Sequence, residues 1–191
     1  MSSNYFEDEK FEGLVLPGKS LVKGEYEGCS FVDCQFAGID FGYFRFTDCE
    51  FRDCDLSMAK LNNTAFNDVV FKGCKMQGIS FENVNEFVFV VAFDHCLLNY
   101  SSFFKRILRK TRFSHCLLHE VDFTEADLQG SVFEQCDLKG AKFEQTILEK
   151  VDFRTSIGYS LDPDRNKIKK AIFSLSGLPG LLDKYGIEVK P

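Results

Sequence analysis

The chain has 191 residues, 45% of them hydrophobic and 15% aromatic, with 22 Phe, no Trp and a formal net charge of −6. Its longest apolar run, residues 87–93, is far too short to span a bilayer, and the acidic start MSSNYFEDEK lacks the order of a secretion signal. These features exclude a membrane anchor of the usual kind and predict a cytoplasmic protein.

Chain order is read best in steps of five. From Phe6 to Phe81 and again from Val88 to Phe153, every fifth residue is Phe, Leu, Met, Tyr or Val, thirty slots in all. Two residues before each slot, 25 of 30 side chains are small or apolar. A period of five fits neither a helix nor a plain strand. It fits short extended segments joined by corners, with i−2 and i facing inward, i−1 outward, and i+1 and i+2 turning the chain. The prediction is a solenoid over residues 1–173, one domain stabilised by stacking of successive coils, followed by a distinct tail over 174–191.

The first 25 residues are the weakest repeats. Pro17-Gly18 and charged i−2 residues predict an N-terminal cap there. Thereafter Phe11, Phe31, Phe51, Phe71, Phe93, Phe113, Phe133, Phe153 and Phe173 fall 20 apart, except for one step of 22. Cys34, Cys54, Cys74, Cys96, Cys116 and Cys136 repeat with the same single jump. Two columns jumping together place a two-residue bulge near 82–88 without a domain break.

Within that bulge Phe87 and Phe89 lie outside the slots. Either they project as a partner contact or the register slips and one turns into the core. The run KRILRKTR, 105–112, is basic and puts Arg106 in an inward slot; it reads as a solvated face. Residues 114–158 are net −5, and Glu120, Asp122, Glu125 and Asp127 fall on exterior positions as a second candidate contact. In the tail, Ser176 can cap a helix over 178–184 with Gly186 as its stop, and Ile187 and Val189 alternate as a short strand. Leu175, Leu178, Leu181, Leu182, Tyr185 and Ile187 then form an apolar stripe suited to capping the last coil or to a two-fold interface.

All eight cysteines occupy i−2 slots, which suits free buried thiols. Stacked neighbours have parallel Cβ vectors, which opposes a disulfide. His95 and His115 adjoin Cys96 and Cys116 but point outward where Cys points inward, so no shared zinc is expected. No phosphate loop, metal-spaced ligand set or nucleophile–base pair is visible. The chain reads as a non-enzyme without metal or cofactor.

Units such as A-D-L-Q-G, C-D-L-K-G and V-D-F-T-E resemble the pentapeptide-repeat consensus, whose members form a right-handed quadrilateral β-helix. At four pentads per coil, thirty slots imply about seven to eight coils and a rod on the order of 36 Å long. The tail, with its DPDRNKIKKAIFSL segment and GLL step, is similar to the ends of quinolone-resistance, microcin-immunity and albicidin-resistance members. That resemblance implies a homodimer joined through its C-terminal tails. It further implies binding to DNA gyrase or topoisomerase IV that relieves a poison, with the rod mimicking DNA rather than binding nucleic acid. Long projecting loops known in some quinolone-resistance members are missing here. Duplex DNA of the same length would carry about 21 negative charges, against a net −8 over residues 1–158, so mimicry must rest on shape and on the acidic zones. The alternative is a structural scaffold with no topoisomerase partner.

Overall fold

A computed structural model describes residues 4–15 and 21–188. The expected cap at Pro17-Gly18 and the strand residue Val189 lie outside the described residues. Ten strands form parallel ladders: β1 (Asn4–Glu7), β2 (Lys10–Glu12), β3 (Gly24–Glu27), β4 (Ser30–Val32), β5 (Arg45–Thr47), β6 (Glu50–Arg52), β7 (Ala65–Lys72), β8 (Phe89–Asp94), β9 (Arg112–Ser114) and β10 (Val132–Glu134).

One face runs β2-β4-β6-β7-β8-β9-β10, pairing Phe11, Phe31, Phe51, Phe71, Phe93, Phe113 and Phe133 in register. A second runs β1-β3-β5-β7 through Phe6, Tyr26, Phe46 and Phe66. The remaining faces are held by single bridges such as Gln35↔Asp55 and Asp122↔Lys142. The architecture is the right-handed quadrilateral β-helix of pentapeptide repeats. Regular ladders account for six turns, from Phe11 to Phe133, slightly fewer than expected. Beyond them the register continues only as bridges, Val132↔Asp152 and Asp152↔Ile172.

The corner chemistry explains the period. Two residues past most slots the backbone is left-handed: Asp33 (φ 52), Gly38 (φ 69), Tyr43 (φ 65) and Asp48 (φ 51) are successive examples. A side chain in this conformation costs about 1–2 kcal/mol. Each corner offsets part of that by donating its N–H to the next turn, as Asp48 does to Asn67 O at 2.9 Å. The recurrent Asp at i−1 builds the same corner. Asp55, Asp122, Asp127, Asp137 and Asp152 each accept the backbone N–H two residues on at 2.8–3.1 Å.

Inside, the nine-membered Phe column stacks with centroids 4.5–5.5 Å apart and near-parallel rings. Rings on opposite faces of one turn meet edge-on across the interior, as Phe113 does with Phe123 at 6.0 Å. The i−2 column has a requirement that apolarity alone does not capture. Its side chains donate inward to carbonyls of the preceding turn: Cys54 Sγ to Phe31 O at 3.4 Å, Thr146 Oγ1 to Phe123 O at 2.9 Å, Ser131 Oγ to Leu108 O at 2.6 Å. Cys, Ser and Thr recur there because they are small and carry a donor.

The insertion resolves into two steps. Phe66 pairs with Phe89, an offset of 23, whereas Val69 pairs with Val91, an offset of 22. Three residues therefore enter and one is lost, and Phe89 rather than Val88 takes the inward slot. Phe89 packs against Phe81 and Phe66 at 5.7 and 6.3 Å.

The tail departs most from expectation. In place of one α-helix over 178–184, 3-10 segments cover Leu175–Leu181 and Asp183–Tyr185, capped by Ser174 rather than Ser176. Pro179 supplies no donor inside the first segment. Two glycines let that segment lie on Tyr159: a Cβ on Gly177 would meet the Tyr159 hydroxyl at 1.7 Å, and one on Gly180 its carbonyl at 2.1 Å. Gly186 is the left-handed stop, as expected, and Ile187 lies outside any strand.

Candidate interaction surfaces

Because the interior is filled by stacked side chains, what the molecule offers to others lies on its outside and at its end. Three regions stand out, beginning with the insertion. Phe87 is 88% exposed, held by an Asn85 side chain that accepts its N–H at 3.1 Å. Of the two bulge phenylalanines, then, one projects and the other is packed in. Beneath the loop lies a shallow cavity of about 270 Å³ lined by Asn63, Glu82, Val84, Glu86, Phe87 and Arg106. Arg106, in an inward slot, lines this cavity with its Nε buried and without a hydrogen-bond partner.

The second region is the acidic band, which turns out not to be uniform. Glu120 and Glu125 are exposed, with Lys105 of the preceding turn 3.6 Å from Glu125. Asp122 is half-buried and committed to its corner. Asp127, expected on the exterior, is only 8% exposed, because Arg109 covers it with Nε and Nη2 both at 2.7 Å. The basic run and the acidic band thus partly neutralise each other across neighbouring turns.

At the C-terminal end the expected stripe divides. Leu181 turns into the core and Leu182 is half-buried. Leu175, Leu178, Tyr185 and Ile187 are exposed, Leu175 at 88%. Ile157 and Ile172 extend the same apolar character onto the last turns. The tail is fastened by Lys184, whose Nζ pairs with Asp162 Oδ1 at 2.6 Å and also with Asp164. Those carboxylates raise the Lys184 ammonium above its usual range, and Lys184 holds Asp162 below the usual carboxylate range.

All eight cysteines are free and buried. Burial pushes the Cys49 thiol up to about 12 and raises Cys29 as well. The histidines behave as alternation predicts, His95 and His115 lying outside while Cys96 and Cys116 lie within. Sequence reasoning stopped there and missed that a step of 20 stacks the two imidazoles on each other, 4.4 Å apart. No helix among the described residues is long and apolar enough to cross a membrane.

The pentapeptide repeat region model matches residues 24–86, 44–110 and 86–157, most of the chain. The protein belongs to the pentapeptide-repeat family. Comparison with curated proteins finds no match. Among solved structures, the pentapeptide-repeat protein HetL of the cyanobacterium Nostoc, described as involved in heterocyst differentiation regulation, is 15% identical with a TM-score of 0.58. That match covers 91% of this chain and 87% of HetL. A trypsin-treated variant of QnrB1, described as a plasmid-mediated fluoroquinolone resistance protein, is 18% identical with a TM-score of 0.50 and full coverage of both chains. At such identities the likeness establishes the fold.

Proposed function

We propose that this protein binds a type II topoisomerase, DNA gyrase or topoisomerase IV, and frees it from a poison, acting as a homodimer joined at its C-terminal ends. The observation that carries the reading is the division of the molecule. The interior is filled by stacked rings and thiols, and the two most exposed large apolar side chains, Phe87 and Leu175 at 88% each, lie at the insertion and at the C-terminal edge, where Leu178, Tyr185 and Ile187 are exposed as well. Such a rod acts through surfaces. The tail's similarity to topoisomerase-protecting members and the structural likeness to a fluoroquinolone-resistance protein support the partner chosen.

Glu120 and Glu125 are the exposed acids available to meet a basic DNA-binding surface, and attraction of this kind weakens with salt over ~8–10 Å. DNA mimicry then rests on rod shape plus these acids, since Asp122 and Asp127 are engaged within the rod.

The test is gyrase supercoiling and topoisomerase IV decatenation in the presence of a quinolone, a microcin-type peptide or an albicidin-type poison. The expected result is restored activity with the intact protein, reduced by Glu120→Lys with Glu125→Lys at unchanged melting temperature. Absence of binding to both enzymes and of rescue from all three poisons favours the second reading, a scaffold. The short insertion supports that alternative, because among the described residues it is the one interruption of the repeat, near 85–88.

A further inference from the structure

Among the described residues one group of metal-type ligands converges: Asp94, His95 and His115, whose donor atoms all lie within 4.8 Å of one another. The group is built by the fold. His95 and His115 occupy the same left-handed corner of successive turns (φ 52 and 53), each donating its N–H to the following turn at 2.8 Å, to Ser114 O and Glu134 O. Their backbones are therefore fixed, above the stacked and fully buried Phe93 and Phe113. The imidazoles lie parallel within 4°. Asp94 Oδ1 is 2.9 Å from His95 Nδ1, and Ser114 Oγ is 2.9 Å from His115 Nδ1. Ser114 also donates to Glu134, at 3.4 Å. Each histidine thus has an oxygen partner that can orient its ring.

We propose that this corner is a binding site for a divalent first-row transition cation of the Zn²⁺ class, held by Asp94, His95 and His115 across two turns. The chemistry of the donors selects the ion: two imidazoles and one carboxylate suit zinc or copper, whereas an all-oxygen set would suit magnesium or calcium. Zn–N and Zn–O bonds of about 2.0–2.2 Å need ligand atoms about 3.3 Å apart. The His95 and Asp94 side chains are 63% and 43% exposed, so a swing of the outer rings and carboxylate closes the gap without moving the backbone. Three protein ligands leave the fourth position to water. The bound ion ties residues 94–95 to residue 115 and so clips one turn to the next. Because the ligands must be deprotonated, protons compete with the cation and binding weakens in acid.

The test is Zn²⁺ titration of the untagged protein by calorimetry at pH 7.5 and 5.5, with Co²⁺ absorption to report the ligands. One equivalent per chain is expected at pH 7.5, at least tenfold weaker at pH 5.5, with a Co²⁺ spectrum free of thiolate bands. Asn tolerates the left-handed corner, so His95→Asn with His115→Asn should fold, checked by the metal-free melting temperature, and lose binding at least tenfold. His115→Asn alone provides the same readout with less perturbation, and His119→Asn should bind as the wild type does. The proposal is overturned by lack of saturable binding, by thiolate bands, by wild-type affinity in both His115 variants, or by equal loss in His119→Asn.

Discussion

Phe113 and Leu178 are both large apolar side chains, yet one is fully buried and the other 41% exposed. Phe113 has a turn on each side: its ring stacks on Phe93 at 5.1 Å and Phe133 at 4.8 Å. Leu178 belongs to a segment lying on the last turn, with no further turn among the described residues to cover it. Solenoid stability accumulates from neighbour to neighbour, so the middle is saturated and an end is not. The comparison teaches where to look for function. Groups that complete the middle of the stack are already used, and groups exposed at the end and at the insertion remain available.

The sharpest way to break this comparison is to place a charge in the middle. Phe113→Asp puts a carboxylate between two rings and should cost several kcal/mol as an unpaired buried charge. Glu125→Ala on the exposed face should stay within ±0.5 kcal/mol. Denaturant unfolding of both variants gives the answer, and equal stabilities would refute the register.

The insertion offers a smaller contrast within three residues. Phe89→Ala, which empties a partly covered slot, is expected to cost about 1–3 kcal/mol, at or below the usual range for a buried ring. Phe87→Ser should leave stability unchanged, since that ring is 88% exposed. If Phe87 is a partner contact, the same substitution lowers topoisomerase protection without lowering the melting temperature.

The smallest effect concerns how the tail is fastened. Asp162 is held low by Lys184, so the contribution of the pair is present above the ordinary Asp value of 3.8 and lost as pH falls below it. Because the pair lies at the surface and remains partly open to solvent, the effect is modest. Hydrogen exchange of amides 175–186 should be faster in Lys184→Met than in wild type at pH 7. The difference should shrink as pH falls from the ordinary Asp range through the lowered range of Asp162; a difference that does not change with pH would assign Lys184 a packing role instead.

Much of the rod was legible because its period is physical. A slot every fifth residue, columns every twentieth and one shared jump specify pairing, and the structure pairs Phe11 through Phe133 accordingly. Other features depend on contacts that no local pattern encodes. The inward position fell to Phe89 rather than Val88 because an insertion of three is followed by a loss of one. The tail became 3-10 because Gly177 and Gly180 permit close approach to Tyr159, some 20 residues earlier in the chain. Asp127 lost its exterior role to Arg109 from the turn before. The stacked His95 and His115 follow from the same 20-residue spacing as the Phe and Cys columns.

The most direct test of the contrast between a saturated middle and an unsatisfied end is the mass of the intact protein by light scattering at micromolar concentration. The account predicts a dimer of about twice the 21.8 kDa chain, converted to monomer or aggregate by removing residues 175–191. A monomer of 21.8 kDa for the intact chain would contradict it, leaving the exposed leucines of the tail without the second copy invoked to cover them.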